Sequence, residues 1–567
     1  SVGLAQMYSP WFSNMPGNND LTYWNYKNDY LDSITKKIYV SDFASAEERT
    51  SLIKQATKEG VSESVRIFLA SKTDQYVVND DIDGIINALG AGVPTRFTPI
   101  NAKSDNDSLV IGVKQIYQGA WNPVSGFSDV YSNQIWLNIY DPGVFSHPFT
   151  GKMIPIRTNW QVENFSSDKK ITVPEDAISW DIDTQVWKKV GSNQEATSKV
   201  TYDLILGNWH HEQKMDMNDI LYSQYFLLEW GSEKHEGDIT YDSVYSPQAA
   251  QNAKTLIGIK PIDDDTIEVY VDYWHFDEAE IASWAAPWSS MPWEIVAASE
   301  EAVLDGKVSF SRSGGVSKSV NWLSLIVPND AKIIKEQLVE FKESRYIPPS
   351  LQNSQHEWEY FEERYDAAIK WIDQNKHAII SNGPFYLDNY SPESRTMTIK
   401  SFDSIGYPFE AGKWKKFEQI KFPKITNVEI SDVVDLKKSL SISVQTTDSS
   451  TIHYFISNPK GETSASGIIP VNNNLSEIVL PEAETSQLGV GANTVKIFAS
   501  SDEALRPDIY STSFLVVEGQ TQLPTVPISE IEASSEDTSH TGIVLAIIGA
   551  IIVGTIVYIR RKRKRKA

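Results

Sequence analysis

The chain has 567 residues, no cysteine and a formal net charge of −24. That length allows three or more domains. The absence of thiols rules out a cysteine nucleophile, a thiolate metal centre, an iron–sulfur cluster and disulfide staples, so an exported part must be held by its core alone. The acidity argues against nucleic acid and anionic lipid surfaces as partners.

Residues 1–30 read as aromatic, turn-rich loops. Ser45 followed by Glu48 is a capping box. It opens a predicted helix over SAEERTSLIKQATKE, with Leu52, Ile53 and Ala56 on one face. VRIFLA at 65–70 is a candidate buried strand, and the polar stretch at 101–108 a connector. From Leu109 the pattern predicts a short strand, a Trp-Asn-Pro loop and an amphipathic helix over about 129–140. A second helix begins at Asn218, with Ile220, Leu221, Tyr225 and Leu228 in register. DDDTIEVYVDY at 263–273 alternates as a strand, and WAAPWSSMPWEIVA is dense in Trp and Pro. Helices are predicted over 330–345 and 355–376, and a strand pair over 382–402.

All 17 tryptophans lie between Trp11 and Trp414, a composition break that puts a boundary near Lys424. Beyond it, 425–517 holds short alternating segments between turns, the pattern of an all-β sandwich. Residues 518–541 are rich in Ser, Thr, Pro and acids and read as a flexible stalk. GIVLAIIGAIIVGTIVYI at 542–559 carries no charge, and at helical rise it spans about 27 Å, near the thickness of a bilayer's hydrocarbon core. The seven cations that follow, at the start of the 560–567 tail, stay on the cytoplasmic side. The expected arrangement is a single-pass membrane protein with the bulk of the chain extracellular. Ser1 opens without an initiator Met or a leader, so the chain is expected to begin inside a longer precursor.

No Gly-x-Ser-x-Gly, His-Glu-x-x-His or phosphate-loop pattern occurs, and no catalytic residue is expected. His210, His211 and Glu212 are consecutive, which points neighbours to different sides of any regular element and suits chelation poorly; no metal and no cofactor is expected. Asp263, Asp264 and Asp265 read as a solvated turn, and Asn106, Asn164, Asn389 and Asn474 head N-x-Ser sequons.

Five segments occur in a telling order: AWNPVSGFSDVYSNQIWLNIYDPGV, WHHEQKMDMNDILYSQYFL, IKPIDDDTIEVYV, WAAPWSSMPWEIV and NGPFYLDNYSPESRTMTIKSF. Together they resemble the family 5 extracellular solute-binding proteins, the peptide and oligopeptide receptors of ABC importers, in the archaeal type that has a C-terminal membrane anchor. Residues 1–92 resemble the family's end, where the chain leaves the second lobe and returns to the first. The resemblance implies an α/β, periplasmic-binding-protein-like (class II, two-lobed) module. It is incomplete or permuted here: 1–92 is the end-piece, 93–108 a connector and 109–424 the main lobe. An Ig-like β-sandwich over 425–517 and one transmembrane helix follow. The second lobe lies upstream of Ser1, or the domain is permuted.

The implied function is capture of a peptide or oligosaccharide and delivery to permease and ATPase subunits, with no covalent step. Two lobes close around a ligand and exclude water, and aromatic planes with a few polar groups supply contact and orientation. The expected ligand-binding residues are Trp11, Asn14, Trp121, Asn122, Ser125, Trp284, Trp288, Trp293 and Tyr390. Peptide receptors of the family hold the ligand's amino terminus with an Asp in the segment matching YSPWFSNMPG, which here has no acid. Related archaeal receptors take sugars, so both ligand classes stay open. The alternative is a surface adhesion or envelope-structural protein on the same fold, without transport.

Overall fold

A computed structural model describes residues 2–12, 26–67, 69–70, 75–90, 92–105, 107–117, 119–164, 169–232, 238–403 and 406–519. The described residues form a mixed α/β structure built from several separate sheets. Helices α1 (Val2–Tyr8), α2 (Asp29–Tyr39) and α3 (Ala46–Ser62) pack on one another around Tyr8, Leu31, Ile34, Ile38 and Ala56. The first of these replaces the loop expected over 1–30. Asn28 caps α2 by accepting from Leu31 N, and Ser45 caps α3 by accepting from Glu48 N at 3.2 Å. Gly60 lets α3 approach α1: a Cβ there would lie 2.5 Å from the Tyr8 ring. Among the described residues of 65–70 the candidate strand does not form. Ile67 and Leu69 are exposed and lie in no described sheet, because an apolar run without a partner edge has nowhere to place its backbone hydrogen bonds. The short strand expected at Leu109 is irregular for the same reason, with Val110 exposed.

After α4 (Phe97–Asn101), α5 (Val130–Ile139) starts at Asp129, whose carboxylate accepts from Tyr131 N and Ser132 N. A six-stranded sheet follows, in the spatial order 158–164, 198–204, 266–271, 256–261, 178–181, 186–189, with every neighbouring pair antiparallel. On one face Val200, Tyr202, Ile267 and Val269 pack against α8 (Glu278–Trp284), where Tyr202 Oη donates to Ala282 O at 2.6 Å. The largest core joins α5, α6 (Met217–Trp230), α9 (Trp293–Leu304), α11 (Pro328–Ser344), α12 (Trp358–Asn375) and the strand pair Phe385–Ser391 and Thr396–Ser401. Between these lie α7 (Ser246–Ala253) and α10 (Arg312–Lys318).

Lys424 opens an all-β unit, broken only by the short α13 (Glu482–Thr485). A three-stranded and a five-stranded sheet share one core of Leu440, Ile442, Val444, Ile452, Ile456, Val495, Ile497 and Phe514. Burial alternates along LSISVQTT, as a strand with one wet face requires. The unit meets the rest of the chain where Ala504 joins Phe97, Phe149, Trp414 and Phe417, and Leu505 N donates to Phe149 O at 2.8 Å. Among the described residues no helix is long and apolar enough to cross a membrane; 542–559 and the basic tail lie outside them.

Candidate functional site

Two buried ionic clusters brace the main unit. In the first, α6 begins with Asp216 and Asp219 capping one another's backbone. Asp219 also accepts from the Trp209 indole (3.1 Å), Trp293 N (3.0 Å) and Arg364 Nη2 (2.7 Å). Arg364 Nε reaches Glu294 at 2.9 Å, and Glu294 holds His211 Nε2 at 2.8 Å. Burial pushes the Asp219 carboxyl up, against the pull of Arg364. Burial acts the same way on Glu294, but Arg364 and His211 outweigh it and hold that carboxyl below its ordinary value. In the second cluster Asp141 pairs with Arg96 and Arg157 and accepts from Tyr407 Oη at 3.0 Å. The paired histidines diverge: His211 faces Glu294, while His210 bridges Gly383 O and Ser381 N and is driven down to about 3 by burial.

Beside the largest core lies a cavity of about 340 Å³, between the segment leading into α7, the end of α9, and 309–318. Asp238, Tyr241, Asp242, Ser243, Ser309 and Lys318 supply its polar lining, and Trp230, Val303 and Leu304 part of its apolar wall. Asp242 is 5% exposed; its Oδ1 accepts from Ser125 Oγ (3.2 Å), Val244 N (2.9 Å) and Tyr245 N (3.0 Å). Behind the wall the Trp230 indole donates to Glu300 Oε1 at 2.7 Å, and Tyr222 and Tyr225 donate to the same carboxylate. Burial raises Glu300 to about 7 in spite of these three donors. Burial, then Asp242 and Asp238, raise Tyr241. The arrangement suits recognition of one small polar solute, with two acids, hydroxyls and a single lysine around it.

The expected ligand residues do not form one surface. Trp121, Asn122 and Ser125 lie close behind the cavity. Asn122 Nδ2 donates to Phe310 O (3.1 Å) and Leu323 O (3.0 Å), and Ser125 touches Asp242. Tyr390 lies 5.7 Å from Tyr117, whose hydroxyl donates to Ser324 Oγ, the acceptor of Trp121 N. Trp11 and Trp284 meet through Tyr39, at ring distances of 5.3 and 5.2 Å, at the seam between the first three helices and the sheet. Trp288 donates to Asp141 O and lies under Arg157. Asn14 lies outside the described residues. Trp121, Asn122 and Trp293 correct the expectation: all three are wholly buried. The indoles of Trp121 and Trp293 donate to Ser132 and Tyr360, and their rings pack against Phe127 and against Phe361 and Tyr365.

Sequence reasoning missed Asp242, Ser309, Gly314 and Glu300. The run VSFSRSGG at 308–315, small and hydroxyl-rich where the chain leaves α9 and enters α10, is the signal that could have marked the cavity. Glu300 gave a weaker one, an acid on the apolar register of α9.

No family model and no curated protein matches the chain. Among solved structures it is similar to a beta-glucosidase from Listeria innocua, in complexes with isofagomine and with glucose. Each likeness is at 15% identity and TM-score 0.12, over 17% of this chain and 16% of that one. The chain thus spans about a sixth of the length of those structures, a likeness too slight to bear on fold or function.

Proposed function

We propose that this chain is a membrane-anchored, extracellular solute-binding receptor of an ABC importer, resembling the family 5 peptide receptors. On this reading 109–424 is the main lobe of a two-lobed module, 1–92 its end-piece, and the all-β unit an Ig-like spacer. The stalk and the apolar helix then tether the module, with the cationic tail inside. A captured solute passes to permease and ATPase subunits without covalent chemistry.

One observation carries the reading. Three segments of the resemblance, far apart in sequence, are joined by direct hydrogen bonds: His210 to Gly383 and Ser381, His211 to Glu294, and Asp219 to Trp293 N. Their contact supports reading these segments as parts of one lobe. The test is genetic and biochemical. Deleting the gene should abolish uptake of one solute, and the full chain captured from membranes should bring its permease and ATPase with it. Unchanged uptake of every solute tried, with no transporter captured, rejects the proposal.

A second reading, surface adhesion, draws support from the apolar residues Phe455, Ile468 and Val479, which the all-β unit leaves exposed. It predicts self-association of the full chain and no capture of a transporter.

A further inference from the structure

We propose that the cavity beside Asp242 binds the primary ammonium group of a small solute of amino-acid size, a refinement that rests on the receptor reading. Asp242 is a buried carboxylate with an uneven load. Its Oδ1 takes three hydrogen bonds, whereas Oδ2 takes none and no cation pairs with it among the described residues. Burying an ionised carboxylate without a counter-charge is costly, and a ligand cation is the natural complement.

Gly314 brings further acceptors to the same corner. A Cβ on Gly314 would lie 2.3 Å from Ser309 Oγ, 3.1 Å from Ser311 Oγ and 3.6 Å from Asp242 Oδ2, so the missing side chain lets the three oxygens gather in one corner of the cavity. Ser309 is 2% exposed and lines the cavity, and its hydroxyl has no hydrogen-bond partner among the described residues. An ammonium group carries three donors and no acceptor, which matches a carboxylate and two hydroxyls. The volume of about 340 Å³ suits one small molecule rather than an extended peptide. Lys318, exposed on the rim, is the one cation of the described lining. It attracts the carboxylate of a zwitterion and repels a second ammonium, so α-amino acids are favoured over diamines.

The experiment is calorimetric titration of the full chain with glycine, L-alanine, ethylamine, 1,2-diaminoethane, acetate and glucose. It compares the wild type with Asp242→Asn, Ser309→Ala and Gly314→Ala. Glycine or alanine should bind, ethylamine more weakly, and the diamine, acetate and glucose not detectably. Asp242→Asn keeps the three bonds to Oδ1 and should weaken binding at least tenfold. Ser309→Ala, which touches no other bond, should weaken it severalfold, and Gly314→Ala should abolish it. Amino-acid affinity equal in wild type and Asp242→Asn overturns the proposal, as does binding of glucose alone or silence of every probe. The receptor reading is judged separately by uptake: loss of uptake of a non-amine solute on gene deletion keeps the receptor and discards the ammonium site.

Discussion

Arg364 Nη2 lies 2.7 Å from Asp219 Oδ1, joining the start of α6 to the middle of α12 across a site that water does not reach. The same guanidinium holds Glu294 at 2.7 Å, so one cation balances two buried acids. Removing it strands both. Arg364→Met should cost about 3–5 kcal/mol, because Asp219 then keeps only neutral donors and Glu294 only His211, with no guanidinium to balance either buried carboxylate. Urea unfolding at neutral pH measures this. A loss below about 1 kcal/mol would mean that the acids take up protons freely or that water enters, and the bracing role would be void.

Glu300 carries the opposite burden, with three neutral donors and no paired cation among the described residues. Its carboxyl is raised from 4.5 to about 7. A raised folded value stabilises the protein below the unfolded value, and that stability is lost as pH climbs through the folded one. The window is therefore pH 4.5 to 7, and the loss across it is on the order of 3 kcal/mol. Glu300→Gln has no proton to lose. Its stability should gain on the wild type between pH 5 and 8, and parallel pH curves for the two proteins would refute the assignment.

Three histidines tilt the balance the other way. Burial drives His210 down to about 3, and His275 and His377 each to about 4. A depressed folded value means that stability is present above the unfolded value, near 6.5, and is lost as pH falls. Each neutral histidine costs about 1.4 kcal/mol per pH unit below that point, three against the single Glu300, so stability should peak near neutrality. His377→Gln keeps a donor for Leu387 O and removes one proton from the acid limb. With Glu300 opposing, the net uptake between pH 6 and 5 falls from about two protons to about one, so the slope of unfolding free energy there should drop by about half; an unchanged slope would assign the acid sensitivity elsewhere.

Regular elements were legible where periodicity and caps agreed. Asp129 starts α5, and the pattern over Asn218–Leu228 falls within α6. α11 and α12 run over Pro328–Ser344 and Trp358–Asn375, close to the expected 330–345 and 355–376. Local chemistry decides such elements. The strand at 65–70 failed because a strand depends on a partner edge, and the sequence does not say whether one is near. The surroundings of the expected site residues were hard to read for a related reason. Tryptophan in a loop beside Gly or Pro marks a buried anchor as readily as a ligand platform, and Trp121 and Trp293 are anchors. Asp242 carries its meaning only through Ser309 and Gly314, dozens of residues away, whose convergence no local pattern announces.

Asn122 is the residue through which the core reaches the cavity. Its amide donates to Phe310 O and Leu323 O, and its Oδ1 accepts from Val124 N and Ser125 N. Ser125 in turn holds Asp242. Asn122→Asp keeps the size and the acceptor but turns the donor into a second acceptor facing two carbonyls. Asn122→Ala leaves the same four groups unpaired without adding a charge. Each orphaned buried group costs about 1–3 kcal/mol, and the aspartate adds repulsion and desolvation. Asn122→Ala should therefore lose stability by the same amount at pH 4 and pH 8, whereas Asn122→Asp should be more stable at pH 4, where its carboxyl can take up a proton and donate, than at pH 8. Unfolding midpoints at the two pH values decide the matter. An aspartate variant whose midpoint shifts between the two pH values no more than the alanine one's would show that the two carbonyls find other donors, and that Asn122 does not set the cavity wall.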